Sequence, residues 1–204
     1  MPDAGPVLGG VILAAGASER MGRPKALLRL PPPSGAFLLV DQIERLRSAG
    51  CARVAVVLGA DADRIAPVLA RGDPQVTVCR NEDWPRGSFS SLQVGLAALG
   101  ECPRGALVLP VDVPGVPPEL MAGLVPHGAD APDAVAPVYG GRGGHPVWLA
   151  PGLIARVRRE PPTARLDRLL AGCDLRRVDV AHPQVRGNVN APEDWARFLS
   201  ASGA

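Results

Sequence analysis

An apolar run from Gly10 to Ala15 opens into a stretch holding Gly16, Ser18, Arg20, Gly22 and Lys25. This combination suits a polyphosphate. Glycines let the backbone turn sharply and bring N–H groups against phosphate oxygens, while Arg20 and Lys25 neutralise their charge. Lys25 stands three residues after Gly22 and is followed by Ala26, so the loop is not a Walker A loop. It also lacks the GxGxxG of a dinucleotide site. The competing reading is a tight strand-to-helix turn with incidental basic residues.

Two further segments carry polar groups at places where ligands bind. In the block from Asn81 to Leu92, Gly87 ends a loop, and Ser88, Ser90 and Ser91 offer hydroxyls and N–H groups at a helix start. Those groups serve a ligand or simply cap the helix. Asp112 follows the apolar run Leu107–Pro110 and precedes Pro114. A carboxylate there can hold Mg²⁺ against the phosphates of an NTP, or can merely form the turn.

The elements that position these groups follow an α/β pattern, with short β-branched runs alternating with amphipathic segments of helix length. Strands are predicted at Val7–Leu13, Arg53–Leu58, Gln75–Cys79, Ala106–Leu109, Ala134–Val138 and Leu175–Val180. Their nearly continuous apolar character predicts a mainly parallel sheet covered on both faces. Helices are predicted at Phe37–Ala49, Ala62–Ala70, Ser90–Leu99, Pro117–Leu124, Pro151–Arg158, Ala164–Ala171 and Pro192–Leu199. The expected architecture is one doubly wound domain spanning residues 1–204, with ligands at the C-terminal ends of the strands.

Composition bounds the function classes. Of the 204 residues, 47% are hydrophobic and 21% charged, as in ordinary soluble proteins. A net charge of +2 without a basic block gives no reason to expect a nucleic-acid partner. The apolar run near the N-terminus is too short to span a membrane. Cys51, Cys79, Cys102 and Cys173 are scattered without CxxC pairing, which fits reduced thiols in a cytoplasmic protein.

The segment Leu13-Ala14-Ala15-Gly16 through Ser18, Gly22 and Lys25 resembles the signature loop of nucleotidyltransferases with a glycosyltransferase-A-like fold. Within them it is similar to the molybdenum cofactor cytidylyltransferase group. The resemblance implies that residues 13–25 wrap the NTP phosphates, and that Lys25 contacts charge near the α-phosphate. It further implies that Asn81, Ser90 and Ser91 contact the nucleotide, that Asp112 holds Mg²⁺, and that Arg142 and His145 contact an acceptor. Alanine at position 15, where guanylyl relatives usually carry glycine, implies CTP as donor. The chain departs from the pattern at Asn188 and Asn190, where the family usually has aspartates, and at Ala191, where it has threonine. An amide oxygen of Asn190 can still ligate Mg²⁺, but without the threonine the helix beginning at Pro192 is expected to start weakly.

The function expected from these residues is Mg²⁺-dependent transfer of CMP from CTP to a molybdopterin-type cofactor. Transient contact with a molybdoenzyme or its chaperone would follow. The alternatives are a sugar phosphate or another small phosphate as acceptor, GTP as donor, a nucleotide-binding protein without catalysis, and an NAD-dependent oxidoreductase.

Overall fold

The structure is a computed structural model that describes residues 7–69, 76–128 and 130–202. Its organising element is β1 (Gly9–Ala14), which lies between β2 (Arg53–Leu58) and β4 (Ala106–Pro110), parallel to both. β3 (Val76–Arg80) continues the parallel ladder beyond β2. On the other side, β7 (Val147–Leu149) runs antiparallel between β4 and β5 (Ala134–Tyr139). The two-residue β6 (Arg142–Gly143) extends the β5 hairpin, and β8 (Leu175–Asp179) pairs parallel with the far side of β5.

Alternation along each strand sends side chains to two separate cores. Ile12 and Ala14 of β1, with Val54, Val56 and Leu58 of β2, face α1 (Leu38–Ser48), α2 (Ala62–Leu69) and α4 (Pro118–Gly123). Val11, Ala55 and Val57 face the other way, against α3 (Ser88–Leu99), α5 (Pro151–Val157) and α6 (Leu166–Ala171). The fold is thus the mainly parallel, doubly wound α/β sheet that the pattern predicts. A third small cluster joins Trp195 of α7 (Pro192–Ser202) to Met21, Leu28, Leu38 and Val189.

Differences arise where local pattern is a poor guide. β7 was not among the expected strands, because three residues carry no periodicity; all three are buried. Trp148 in its centre donates its indole N–H to the Arg104 carbonyl at 2.9 Å. β3 and β8 are not covered on both faces: Thr77, Val78, Arg80, Arg176, Arg177 and Asp179 are exposed. These strands lie at the two borders of the sheet, where only one neighbour covers them. Observed ends differ from expected ones by a few residues, and Ala70 and Gln75 lie outside the described residues.

One glycine fixes how closely α3 sits on the sheet. A Cβ at Gly95 would lie 2.5 Å from Val11 Cγ1 and 2.8 Å from Val57 Cγ2, both on stiff β-branched side chains. Gly95→Leu should therefore cost about 1–3 kcal/mol through overpacking. A lower urea midpoint with an unchanged far-UV spectrum is the expected result; an unaltered midpoint would show that the α3–β1 contact has slack.

Candidate functional site

Parallel pairing places Leu13 beside Pro110, and the Val111 N–H donates to the Leu13 carbonyl at 3.0 Å. The loops leaving β1 and β4 therefore start side by side. After β1 the chain makes a 3-10 turn at Glu19–Met21, entered by Ser18 with φ 52° and left by Gly22 with φ 70°. A left-handed serine costs roughly 1–2 kcal/mol, and the strain is partly offset because Ser18 Oγ accepts the Lys25 N–H at 3.2 Å. A second 3-10 turn, Lys25–Leu27, is pinned by buried Ala26 and followed by Leu28, also buried.

Lys25 Nζ lies 2.9 Å from Asn190 Oδ1 and 3.3 Å from Asp112 Oδ2. The lysine and aspartate side chains are only 13% and 22% exposed. Each oxygen is held from behind. Fully buried Gln42 donates from Nε2 to the carbonyls of Val113 at 3.0 Å and Val111 at 3.3 Å. The Val189 N–H donates to the Asp112 carbonyl at 2.7 Å. Asn190 is set by Asp194, whose Oδ2 accepts the N–H groups of Asn190 at 2.8 Å and Ala191 at 2.9 Å.

Asp194 thereby adds a contact at the start of α7 that the sequence reading did not anticipate. The carboxylate in the helix's first turn reaches back to the N–H groups of residues 190 and 191, the reciprocal half of a capping box, and fixes the chain as it enters α7. Those two N–H groups, with Arg197, hold its carboxyl below the usual aspartate range.

His145 reaches the same region from the loop before β7. Its backbone N–H donates to the Val185 carbonyl at 2.8 Å, and there is no room for a side chain at Gly144 because Val185 packs against it. His145 Nδ1 is buried with no hydrogen-bond partner among the described residues. Burial lowers the imidazole's pKa, opposed by the nearby Asp112 carboxylate, so the ring is neutral at pH 7.

Lys25, Asp112 and His145 line one cleft of about 940 Å³, and Asn190 stands outside its lining, joined to it through Lys25. Leu13, Ala15, Gly16, Ser18, Lys25, Ser91, Asp112 and His145 contribute to its wall. The other expected site residues do not. Ala14 is buried in the core beneath the loop, while Arg20, Gly22 and Arg142 are exposed outside the lining. Asn81 and Ser90 sit behind the wall. Asn81 Nδ2 donates to Ser90 Oγ at 3.0 Å and Ser91 Oγ at 2.9 Å, and Ser90 Oγ donates to the Gly87 carbonyl at 2.8 Å. Their hydrogen-bonding capacity is spent on shaping the Trp84–Ser91 turn, so of these three residues only Ser91 faces the cleft. Motif reading also missed the opposite wall, where Thr163, Arg165, Leu166, Asp167 and Leu170 line the cleft. An exposed Arg165–Asp167 ion pair before a six-residue helix carries no sequence signal.

Chemically, the cleft offers one ammonium and two converging oxygens below a glycine-containing loop. Among the described residues no group of three or more His, Cys, Asp or Glu could hold a metal ion. Burial pushes the Cys51 thiol up to about 12 and the Cys79 thiol to about 11. The two oxygens already converge on a cation, the Lys25 ammonium, and so they fit one.

The MobA-like NTP transferase domain matches residues 10–183. The chain belongs to this family. This MobA-like NTP transferase is a nucleotidyltransferase. It is 29% identical over 206 residues to a probable molybdenum cofactor guanylyltransferase of Mycobacterium avium, covering 95% of this chain and 96% of that relative. It is 42% identical over 112 residues to nicotine blue oxidoreductase of Paenarthrobacter nicotinovorans, a match spanning 54% of this chain and 52% of that relative. The crystal structure of Rv0371c from Mycobacterium tuberculosis in complex with manganese superposes with a TM-score of 0.75 at 25% identity, covering 96% and 98% of the two chains. No described helix of this transferase is long and apolar enough to cross a membrane.

Gln42 gives the site a mechanical test. Gln42→Ala removes the donor that three carbonyls around Asp112 share and should cost about 1–3 kcal/mol. Amide exchange of the segment 110–113 should accelerate more than that of β2. Equal acceleration throughout the chain would mean that Gln42 supports the fold without fixing Asp112.

Proposed function

We propose that this transferase moves CMP from CTP to a phosphorylated acceptor, foremost a molybdopterin-type cofactor, in the cytoplasm and as one domain over residues 1–204. The observation that carries the reading is the Lys25 ammonium, which lies in the wall of the cleft beside Asp112 and is held from outside the lining by Asn190. An acceptor phosphate oxygen attacks the α-phosphorus, the bond to the bridging oxygen breaks, and pyrophosphate leaves. No covalent protein intermediate is required. Positioning and charge neutralisation supply the rate.

The loop Leu13–Ser18 holds the triphosphate by backbone N–H groups, and Lys25 stabilises charge around the α-phosphate. Asp112 and Asn190 would hold Mg²⁺, which supplies further neutralisation of phosphate charge when bound. His145, neutral and with Nδ1 unpartnered, presents a hydrogen-bonding edge to the acceptor. Val108, Val147, Leu166 and Leu170 give that end of the cleft apolar surface suited to a heterocycle. A molybdoenzyme or its chaperone would then receive the product.

CTP is favoured by the alanine at position 15, where the guanylyl relatives usually carry glycine. Ala15 lines the cleft and packs against Gly59, which has no room for a side chain. The names of the guanylyltransferase relatives point to GTP instead, so donor choice needs direct measurement.

Pyrophosphate release should be measured with each of the four NTPs against molybdopterin and other phosphorylated acceptors. CTP with molybdopterin should be fastest, and Ala15→Gly should raise the GTP rate relative to CTP. GTP preference in the unaltered protein would overturn the donor assignment. NAD(P)H oxidation without pyrophosphate release from any NTP would replace transfer by redox chemistry. Lys25→Ala should lower turnover roughly a hundredfold to a thousandfold in a protein that still folds.

A further inference from the structure

We propose that Lys25 is the resident counter-cation of the metal site, so that a divalent cation enters only when nucleotide phosphate draws the ammonium away. This rests on the reading that Asp112 and Asn190 face a nucleotide's phosphates. The inference concerns what those oxygens bind beforehand, and what controls their release.

The geometry is a three-body contact. Asp112 Oδ2 and Asn190 Oδ1 come from segments 78 positions apart, yet both lie within hydrogen-bond reach of one Nζ. Neither oxygen reaches that point by chance. The loop of Asp112 is held by Gln42 and Val189, and the turn of Asn190 by Asp194. The lysine itself is largely buried and begins a 3-10 turn whose next residue, Ala26, is buried. Oxygens that already accept from an ammonium are poor ligands for a dication at the same point, because the two cations repel across a few ångströms in a poorly hydrated wall. Magnesium also demands short, well-directed oxygen contacts. Lysine and metal are therefore alternatives at this point.

Asn190 explains why one lysine suffices. One carboxylate and one ammonium balance, with the neutral amide adding an oxygen but no charge. An aspartate at position 190 would leave one negative charge uncompensated and keep attracting free cations. A nucleotide changes the balance, because its phosphates offer Lys25 a stronger partner along the Gly16–Ser18 rim. Once the ammonium swings to them, Asp112 and Asn190 are free to share a cation with the same phosphates. Nucleotide and metal then favour each other's binding through one side chain, and the coupling is reciprocal.

The test uses Mn²⁺ as the probe, read by its electron paramagnetic resonance signal in the presence of the full chain, with and without CTP. Unaltered protein should bind Mn²⁺ alone weakly. Lys25→Met should bind it roughly tenfold or more tightly without CTP, since a positive charge adjacent to the site is gone. Asn190→Asp should also bind Mn²⁺ alone more tightly while retaining Lys25. Adding Asp112→Asn to Lys25→Met should abolish the gain, which places the ion at this site. With CTP present, the advantage of Lys25→Met over the unaltered protein should shrink or reverse. Lys25→Met binding Mn²⁺ alone no more tightly than the unaltered protein would overturn the proposal. Should Lys25→Met fail to fold, Asn190→Asp decides: Mn²⁺ affinity equal to that of the unaltered protein overturns it as well. None of these readouts requires turnover or an acceptor. A wrong acceptor or donor would leave the Mn²⁺ shifts in place, and absent shifts would leave the transfer reaction standing.

Discussion

The site depends on β1 being paired on both edges. Because β2 and β4 run parallel to it in near register, the segments leaving β1 and β4 emerge at the same end of the sheet. The glycine-containing loop after Ala14 and the turn bearing Asp112 have no other place to go. Burial of Val11 and Ile12 on opposite faces locks β1 between two cores, so that this end can carry exposed and strained backbone such as Ser18 without loosening the sheet. Stability is concentrated in the strands, and chemistry is carried by the loops that follow them.

Charge around Lys25 is balanced locally. Lys25 faces one carboxylate and one amide, and the nearby imidazole is held neutral by desolvation. Arg20 and Arg142 remain in solvent, away from the cleft lining. Arg86 and the Arg165–Asp167 pair line the cleft, and selectivity rests on where donors point, which the surrounding hydrogen bonds determine.

The parts of this arrangement that could be read in the sequence are those where a local requirement leaves a local mark. β1 and its loop show as an apolar run broken by glycines, and Asp112 shows as a carboxylate between a strand and a proline. The serines were harder to place. A hydroxyl at a helix start looks the same whether it meets a ligand or a neighbour, and only the burial of Asn81 beneath Ser90 and Ser91 decides. β7 is too short for periodicity, and its strand character comes from pairing with β4 and β5. The Thr163–Leu170 wall is set by how α6 packs on α3 and α5, a long-range outcome with no motif of its own.

The Asp194 contact separates the entry to α7 from the side chains at 190 and 191. Both residues meet the helix through backbone alone: their N–H groups donate to the Asp194 carboxylate, and the Ala191 carbonyl accepts from the N–H groups of Asp194 and Trp195. The Asn190 side chain is thereby left to Lys25. Trp195, one turn into α7, packs with Val189 and Leu28 behind the Lys25 turn. The stretch 188–191 thus works as a hinge pin, fastened to the helix by its backbone and turned toward the site by one amide.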